Sequence, residues 1–360
     1  MKLGIYGGSF DPVHKGHIKV AKFAIQQLGL NKLFLVPTNV SPFKAKFKTT
    51  SNADKINMLN LVLEDKMEIS EFETKRGGIS YTIDTVKYFK KKYPNAQLFL
   101  IIGSDNVSKL HKWKEIDQIA SLAQIVVIKR TKTINKQNIK KYHAILLNND
   151  LFDYSSTEIK QGYLDMVDPK VLDYIQANGL YLEKIIHNSL SALRAKHSIS
   201  TAKFAAELAK AHNISAKKAY FAGLMHDIAK EWSESESRNF IKEYLPELEN
   251  VPKHELHQIC GMLWAEHGYG IKDPEILKAI RFHTTMSLTM SDLDKIIFIA
   301  DKICEGRRFP GIQKIRELVF QDLEQGFQEV VNLNYKQNIA KGVTFSKEAL
   351  QIYDQYLKRG

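Results

Sequence analysis

The feature that most constrains this chain is a change of rhythm near residue 180. Before it, short apolar runs alternate with helical periodicity. Residues 3–6, 33–36, 98–102 and 124–128 read as strands of the near-continuous apolar kind that a parallel sheet buries on both faces. Between them, residues 17–27, 54–63 and 82–92 carry helical spacing. Residues 169–177 close the half, with Asn178-Gly179 as a stop. Such alternation implies βαβ units and a doubly wound α/β domain. After residue 183 no strand is evident. Residues 189–212, 216–230, 253–267, 274–283, 293–304, 312–328 and 346–357 read as helices, punctuated by Pro246, Gly268, Gly270, Pro274 and Pro310. The chain is thus predicted to hold two domains, 1–183 and 184–360. An α/β doubly wound parallel sheet is followed by an all-α helical bundle.

Composition narrows the function classes. The 360 residues suit two domains, and no run of 18 apolar residues predicts a membrane span. The segment MKLGIYGGSFDPVH lacks the apolar core and cleavage site of a signal peptide. Cys260 and Cys304 form no CxxC pair, which suits a reducing, cytoplasmic setting. The net charge is +12. Residues 1–183 hold 27 Lys and Arg against 18 Asp and Glu, so most of the excess lies there. Nucleic acid and small polyphosphates both fit such a field. The lysine runs are short and lack interleaved aromatics, so the reading favours small molecules over nucleic acid. Homo-oligomerisation is left open.

The first chemistry lies in Gly7-Gly8-Ser9-Phe10-Asp11-Pro12-Val13-His14-Lys15-Gly16-His17, which leaves a strand and enters a helix. Glycines there let backbone N–H groups approach a phosphate. His14 and His17 are three apart, so one helical turn sets both on one side. Two imidazoles at a positive helix end can stabilise charge on a leaving pyrophosphate. Gly7, Gly8, Ser9, Phe10 and Gly16 are the candidate binding residues beside these two catalytic histidines.

This segment resembles the HxGH signature of the nucleotidyltransferase superfamily, whose fold is Rossmann-like. Three further stretches narrow the resemblance to bacterial nicotinate-nucleotide adenylyltransferases. Residues 36–44, Val-Pro-Thr-Asn-Val-Ser-Pro-Phe-Lys, resemble their proline-and-lysine loop. Ser80-Tyr81-Thr82-Ile83-Asp84-Thr85 is similar to their SYTxDT segment, and Gly103-Ser104-Asp105 with Lys112-Trp113 to their ribose and base-stacking region. Tyr154-Ser155-Ser156-Thr157-Glu158-Ile159-Lys160 resembles their ISSTxxR signature, with lysine in place of the usual arginine. The resemblance implies transfer of an adenylyl group from ATP, with Mg²⁺, to nicotinate mononucleotide. It implies Lys44 as a catalytic point charge. It further implies Tyr81, Thr82, Thr85, Gly103, Asp105, Trp113, Ser155, Ser156, Thr157 and Lys160 as substrate-binding residues. The mononucleotide phosphate is ionised at neutral pH, so the reaction needs positioning and charge stabilisation rather than a general base. A nicotinamide mononucleotide acceptor is the alternative.

The second half contains His226-Asp227, a dyad of little weight alone. Its company matters: His197, His257, His283 and Asp301 recur on or beside predicted helices. Four imidazoles and two carboxylates can hold one or two divalent metals, and the mixed N/O set suits iron, manganese or magnesium better than structural zinc. The segments around these residues, with Lys230 and Gly306-Arg307-Arg308-Phe309-Pro310-Gly311, resemble HD-domain phosphohydrolases of the symmetrical diadenosine tetraphosphate hydrolase branch. That resemblance implies His197, His226, Asp227, His257, His283 and Asp301 as metal ligands. It sets Lys230 and Arg307 toward the phosphates of a dinucleoside polyphosphate, with Lys230 catalytic. Cys304 stands where that branch leads one to expect an acidic residue. The alternative is a regulatory, nucleotide-binding HD domain or one acting on another phosphoester.

Overall fold

In a computed structural model, residues 1–42, 49–131, 134–151 and 154–357 are described. The chain divides into two units, Met1–Asn178 and Gly179–Gly360. The sequence places the change five residues later. Gly179 takes a left-handed backbone (φ 62°), and a side chain there would meet the Phe221 ring at 2.5 Å. Tyr269 donates its hydroxyl to the Leu180 carbonyl at 3.0 Å. Residues 179–181 therefore pack with the second unit.

The first unit is a six-stranded sheet in the order β3-β2-β1-β4-β5-β6, with every pair parallel. The strands are β1 (Lys2–Gly8), β2 (Lys32–Pro37), β3 (Met67–Ile69), β4 (Gln97–Gly103), β5 (Gln124–Ile128) and β6 (Ile145–Leu147). The four inner strands match the predicted apolar runs. Leu3, Ile5, Leu98, Leu100, Ile125 and Val127 pack together on one face and are buried. The sequence reading misses β3 and β6. Each is three residues long and lies at an edge, too short for a period-2 or apolar signal to emerge. The strand order reverses between β1 and β4. That reversal opens a crevice at the carboxyl ends of these strands, where ligands bind in open α/β sheets.

In the second unit the described residues form helices only. Helices Ala192–Ala211 and Ala216–Met225 pair closely around Gly223, whose added Cβ would lie 2.6 Å from the Ala202 Cα. Three predicted helices are interrupted. The run 189–212 breaks at Leu190, and helix Ala192–Ala211 starts after Ser191, whose N–H and hydroxyl both donate to Glu231. The run 253–267 becomes helix Leu256–Leu263 and a π-helical turn Trp264–Tyr269. The run 312–328 breaks at Asp322, whose carboxylate accepts from the Gln325 N–H at 2.9 Å and starts Leu323–Ala340. Helix Glu234–Tyr244, which the sequence reading leaves out, opens with a Ser233–Glu236 capping box.

Candidate active sites

In the first unit, β1 delivers Gly7 and Gly8 to the crevice. Space above Gly7 is open, whereas a Cβ on Gly8 would meet the Phe10 ring at 3.1 Å. Phe10 is buried and stacks edge-on against His17, with ring centroids 4.9 Å apart, so it forms the floor below the glycines. His14 sits at the N-cap of helix Lys15–Leu28 in extended conformation. Its N–H donates to His17 Nδ1 at 3.2 Å, and the two rings stack 3.6 Å apart. Accepting at Nδ1 puts the His17 proton on Nε2. Burial and the Arg130 guanidinium lower His14 to about 3. Burial, His14 and Arg130 hold His17 well below the ordinary imidazole value. Both rings are therefore neutral donors at pH 7 until an anion arrives.

The second signature docks onto the first. A side chain at Gly16 would meet the Tyr154 Cβ at 2.8 Å, so only glycine lets the two segments touch. Ser155 caps helix Ser156–Ile159 by accepting from the Thr157 N–H at 3.2 Å. Ser156 donates to the Pro12 carbonyl at 3.2 Å. Lys160, expected at the phosphates, pairs with the buried Asp11 carboxylate at 2.8 Å. It ties the two signatures together. Ser9 lies half-buried between the glycines and Phe10.

Other candidates fall around the same crevice. Tyr81 caps helix Thr82–Lys92, and Lys114 lies 4.8 Å over the Tyr81 ring, next to half-buried Trp113. The buried Trp113 indole N–H has no partner among the described residues. Gly103 lies close under the Asp105 and Arg130 side chains, 2.3 Å from Asp105 Oδ1 and 2.7 Å from Arg130 Cδ at the position a Cβ would take. Thr85 departs from the expectation. It is 2% exposed and donates to Glu73 Oε1 at 2.6 Å, so its hydroxyl braces the site from behind. Lys44 lies outside the described residues. The sequence reading misses Arg130, which follows β5 and reaches Asp105 at 3.8 Å. A cation just beyond an apolar strand is the signal that points to it.

The second unit brings its six predicted ligands together. His197 Nε2 lies 2.9 Å from Asp301 Oδ1, and His226 Nε2 lies 3.7 Å from the same oxygen. Asp227 Oδ2 is 3.8 Å from His226 Nε2, and Asp227 Oδ1 is 3.5 Å from His283 Nε2. His226 therefore belongs to two candidate groups, one with His197 and Asp301 and one with Asp227 and His283. His257 stands beside the second, its Nε2 3.7 Å from Asp227 Oδ1 and 3.3 Å from His283 Nε2. His226 and His283 each donate Nδ1–H to a carbonyl, of Gly223 and Ile280, at 2.7 Å. That bond turns each Nε2 lone pair toward the cluster, the outer-shell pattern of metal-binding histidines. His226 Nε2 and Asp227 Oδ1 are buried and lack a hydrogen-bond partner among the described residues. Orphaned buried acceptors of mixed N/O type fit a divalent cation.

Burial works to raise both carboxyls, yet the imidazoles around Asp227, and Lys302 with His197 and His226 around Asp301, hold them well below the usual range. Burial lowers His257 to about 2 and lowers His283 as well. Ionised Asp227 and Asp301 beside neutral His257 and His283 are the protonation states that ligation needs. His197 differs. Against the pull of burial, hydrogen bonds to Asp301 and Cys304 raise it to about 9. Metal binding at His197 would release that proton.

Cations ring this cluster. Lys230 Nζ contacts His257 Nε2 at 2.8 Å, and Arg307 lies 3.4 Å from Asp301. The sequence reading misses Arg194, 3.4 Å from Asp227, and Lys302, 2.8 Å from Asp301. Cys304 is buried behind the cluster, with Sγ 3.6 Å from His197 Nδ1. It occupies the supporting position that an acid was expected to fill.

Residues 5–162 match a family model described as cytidylyltransferase-like, and residues 194–305 match one described as an HD domain. A Mycoplasma pneumoniae protein named "Probable nicotinate-nucleotide adenylyltransferase/Ap4A hydrolase" is 33% identical over 94% of this chain and 99% of its own length. The chain belongs to that family. A Mycoplasma genitalium member with the same name is 32% identical over 94% and 99%. A solved Clostridium acetobutylicum structure, described as a predicted HD superfamily hydrolase involved in NAD metabolism, is 30% identical over 50% of this chain and 96% of its own, with a TM-score of 0.45. The family's two-part name thus meets two units with two separate polar clusters. No helix among the described residues is long and apolar enough to cross a membrane.

Proposed function

We propose that the chain is a bifunctional cytoplasmic enzyme. Its first unit adenylylates nicotinate mononucleotide with ATP, giving deamido-NAD and pyrophosphate. Its second unit cleaves diadenosine tetraphosphate to two ADP. The observation that carries the reading is full-length similarity to the Mycoplasma proteins; the stacked His14–His17 pair and the histidine–aspartate cluster support it.

In the first reaction a mononucleotide phosphate oxygen attacks the α-phosphorus of ATP, and the α–β bridging bond breaks. His14 and His17 donate to the phosphates, and pyrophosphate charge pulls both imidazoles toward their protonated forms. The open space above Gly7 admits a phosphate close to the backbone. Arg130 adds the fork that Lys160 lacks. Trp113 supplies a stacking face for the pyridine ring. Mg²⁺ enters with ATP and offsets phosphate charge.

In the second unit, His197, His226, Asp227, His257, His283 and Asp301 would hold one or two divalent ions, iron, manganese or magnesium. Bound there, such an ion would supply Lewis acidity for hydrolysis of the polyphosphate. Lys230, Arg194 and Arg307 orient the polyphosphate. Small polyphosphates, rather than nucleic acid or membrane, are the partners.

An acceptor panel tests the first half. Nicotinate mononucleotide should outcompete nicotinamide mononucleotide, and equal turnover of both would refute the acceptor assignment. Residues supporting the second half are tested by Asp227→Ala, which should lose both bound metal and cleavage of diadenosine tetraphosphate.

A further inference from the structure

We propose that Lys55 is a positioning residue for adenylyl transfer, fixing the glycine turn that receives ATP against the segment that faces the acceptor. The inference rests on the functional reading of the first unit given above. Lys55 lies on helix Asn52–Asn60, outside the signature stretches, and no motif marks it.

Lys55 is 1% exposed, so a whole lysine side chain is taken out of water. Its Nζ donates to the Thr38 carbonyl at 2.8 Å. Thr38 in turn donates its own N–H to the Gly8 carbonyl at 2.9 Å. One residue on, the Asn39 N–H donates to Ser80 Oγ at 3.1 Å, and the Ser80 N–H donates to the Val40 carbonyl at 2.9 Å. Ser80 opens the stretch Ser80–Thr85, which carries the acceptor-binding candidates. A path of hydrogen bonds thus runs from the glycine turn, through residues 38–40, to the acceptor segment. Helix Asn52–Asn60 grips that path at both Thr38 and Asn39, since Asn52 Nδ2 also donates to Asn39 Oδ1 at 2.5 Å.

Charge follows the same path. Asp11, in the glycine turn, is buried and pairs with Lys160 of the second signature at 2.8 Å. Glu73 is buried and accepts from the Thr85 hydroxyl at 2.6 Å. Burial lowers the Lys55 pKa, the Asp11 and Glu73 carboxylates work against that fall, and Lys160 adds to it. Lys55 is therefore a cation shared by an acid of the ATP segment and an acid behind the acceptor segment. An apolar side chain would fill this space at a smaller desolvation cost. It would lack the directed bond to Thr38 and the attraction to both acids, and those interactions set position.

Transfer depends on that position. A phosphate oxygen of the acceptor must meet the α-phosphorus of ATP in line, and the two substrates lie on different segments. Loosening the joint leaves each substrate its own contacts and spoils their alignment.

The test uses full-length Lys55→Met and Lys55→Arg proteins. Deamido-NAD formation is followed in a single turnover, with enzyme in excess over ATP and nicotinate mononucleotide saturating. That rate constant reports folded sites only, so partial unfolding does not move it. Lys55→Met should lower it about 100-fold, the cost of a misplacement of roughly 1 Å. Calorimetric dissociation constants for ATP and for nicotinate mononucleotide should stay nearly unchanged. Lys55→Arg keeps a donor and the charge, and should recover most of the rate. A Lys55→Met protein with a lower melting temperature but the wild-type rate constant overturns the proposal, because the lysine then only stabilises. Weakened binding of one substrate with an intact rate constant also overturns it, because the lysine then serves one half of the site. Equal loss in both variants does the same. If Lys55→Met does not fold, the shorter, uncharged Lys55→Gln is measured in its place against these outcomes. A wild-type chain that forms no deamido-NAD sinks the functional reading instead, before any variant is compared.

Discussion

Replacing Gly16 with alanine tests whether the two signature segments must touch for transfer to occur. The new Cβ would sit 2.8 Å from Tyr154 Cβ, 3.0 Å from Tyr154 Cδ2 and 3.1 Å from His14 Cε1. Carbon atoms are comfortable at about 3.5–4.0 Å, so the segments must part by roughly 1 Å. Such overpacking costs about 1–3 kcal/mol. Alanine offsets up to about 1 kcal/mol of that through its better helix propensity. The net loss of stability is about 0–3 kcal/mol, a fall of at most roughly 10 °C in melting temperature. Activity should suffer far more. One helix turn carries His14 and His17, and the other segment carries Ser155 to Thr157. A 1 Å misplacement of such groups costs about 100-fold, or about 2.7 kcal/mol of barrier. The assay is deamido-NAD formation by the full-length G16A protein, with cleavage of diadenosine tetraphosphate as the internal control. We expect a roughly 100-fold loss of the first and an unchanged second. A soluble variant with wild-type transfer would refute the idea that close docking sets the catalytic geometry.

Four further outcomes follow from the same geometry. Gly7→Ala meets no atom of the described residues within 4 Å and should fold normally, yet its methyl intrudes where phosphate approaches. It should raise the KM for ATP, and an unchanged KM would remove Gly7 from the site. Buried His14 has its pKa lowered from 6.5 to about 3. The unfolded chain therefore binds the extra proton, and stability present above pH 6.5 falls by up to about 1.4 kcal/mol per pH unit toward pH 3. His14→Gln should flatten denaturant-derived stability between pH 6.5 and 5, and an unaltered slope would contradict the burial argument. Gly223→Ala forces a Cβ to within 2.6 Å of the Ala202 backbone and should lower metal content and hydrolysis while sparing transfer. Metal at 100 times its Kd should stabilise the second unit by about 2.7 kcal/mol, and a chelator should remove that increment from its melting transition.

The sequence carries the fold wherever an element buries a whole apolar face. The inner strands are legible because parallel strands covered on both sides need continuous apolar runs. The edge strands Met67–Ile69 and Ile145–Leu147 are hidden because three residues make no period. Helix breaks at Leu190 and Asp322 are hidden for another reason. Apolar spacing continues across them, and only the extended backbone at Leu190 and the Asp322 cap show the interruption. The candidate metal cluster is legible from its histidines and aspartates, which recur on or beside predicted helices. Its cations are not, because Arg194 and Lys302 look like ordinary surface charge until the fold turns them toward Asp227 and Asp301. Thr85 shows the converse, a motif residue whose hydroxyl is spent on buried Glu73.

The boundary at Asn178-Gly179 also bears on how the chain is made. All six strands of the sheet lie between residues 2 and 147, and the unit they build is closed by residue 178. Parallel sheets form slowly, because each pairing waits on a long crossover. A ribosome adding about 5–20 residues per second needs roughly 10–40 s to append the second unit. The slow half therefore emerges first and has that interval to itself, while the helical half follows into solution beside a partner already folded.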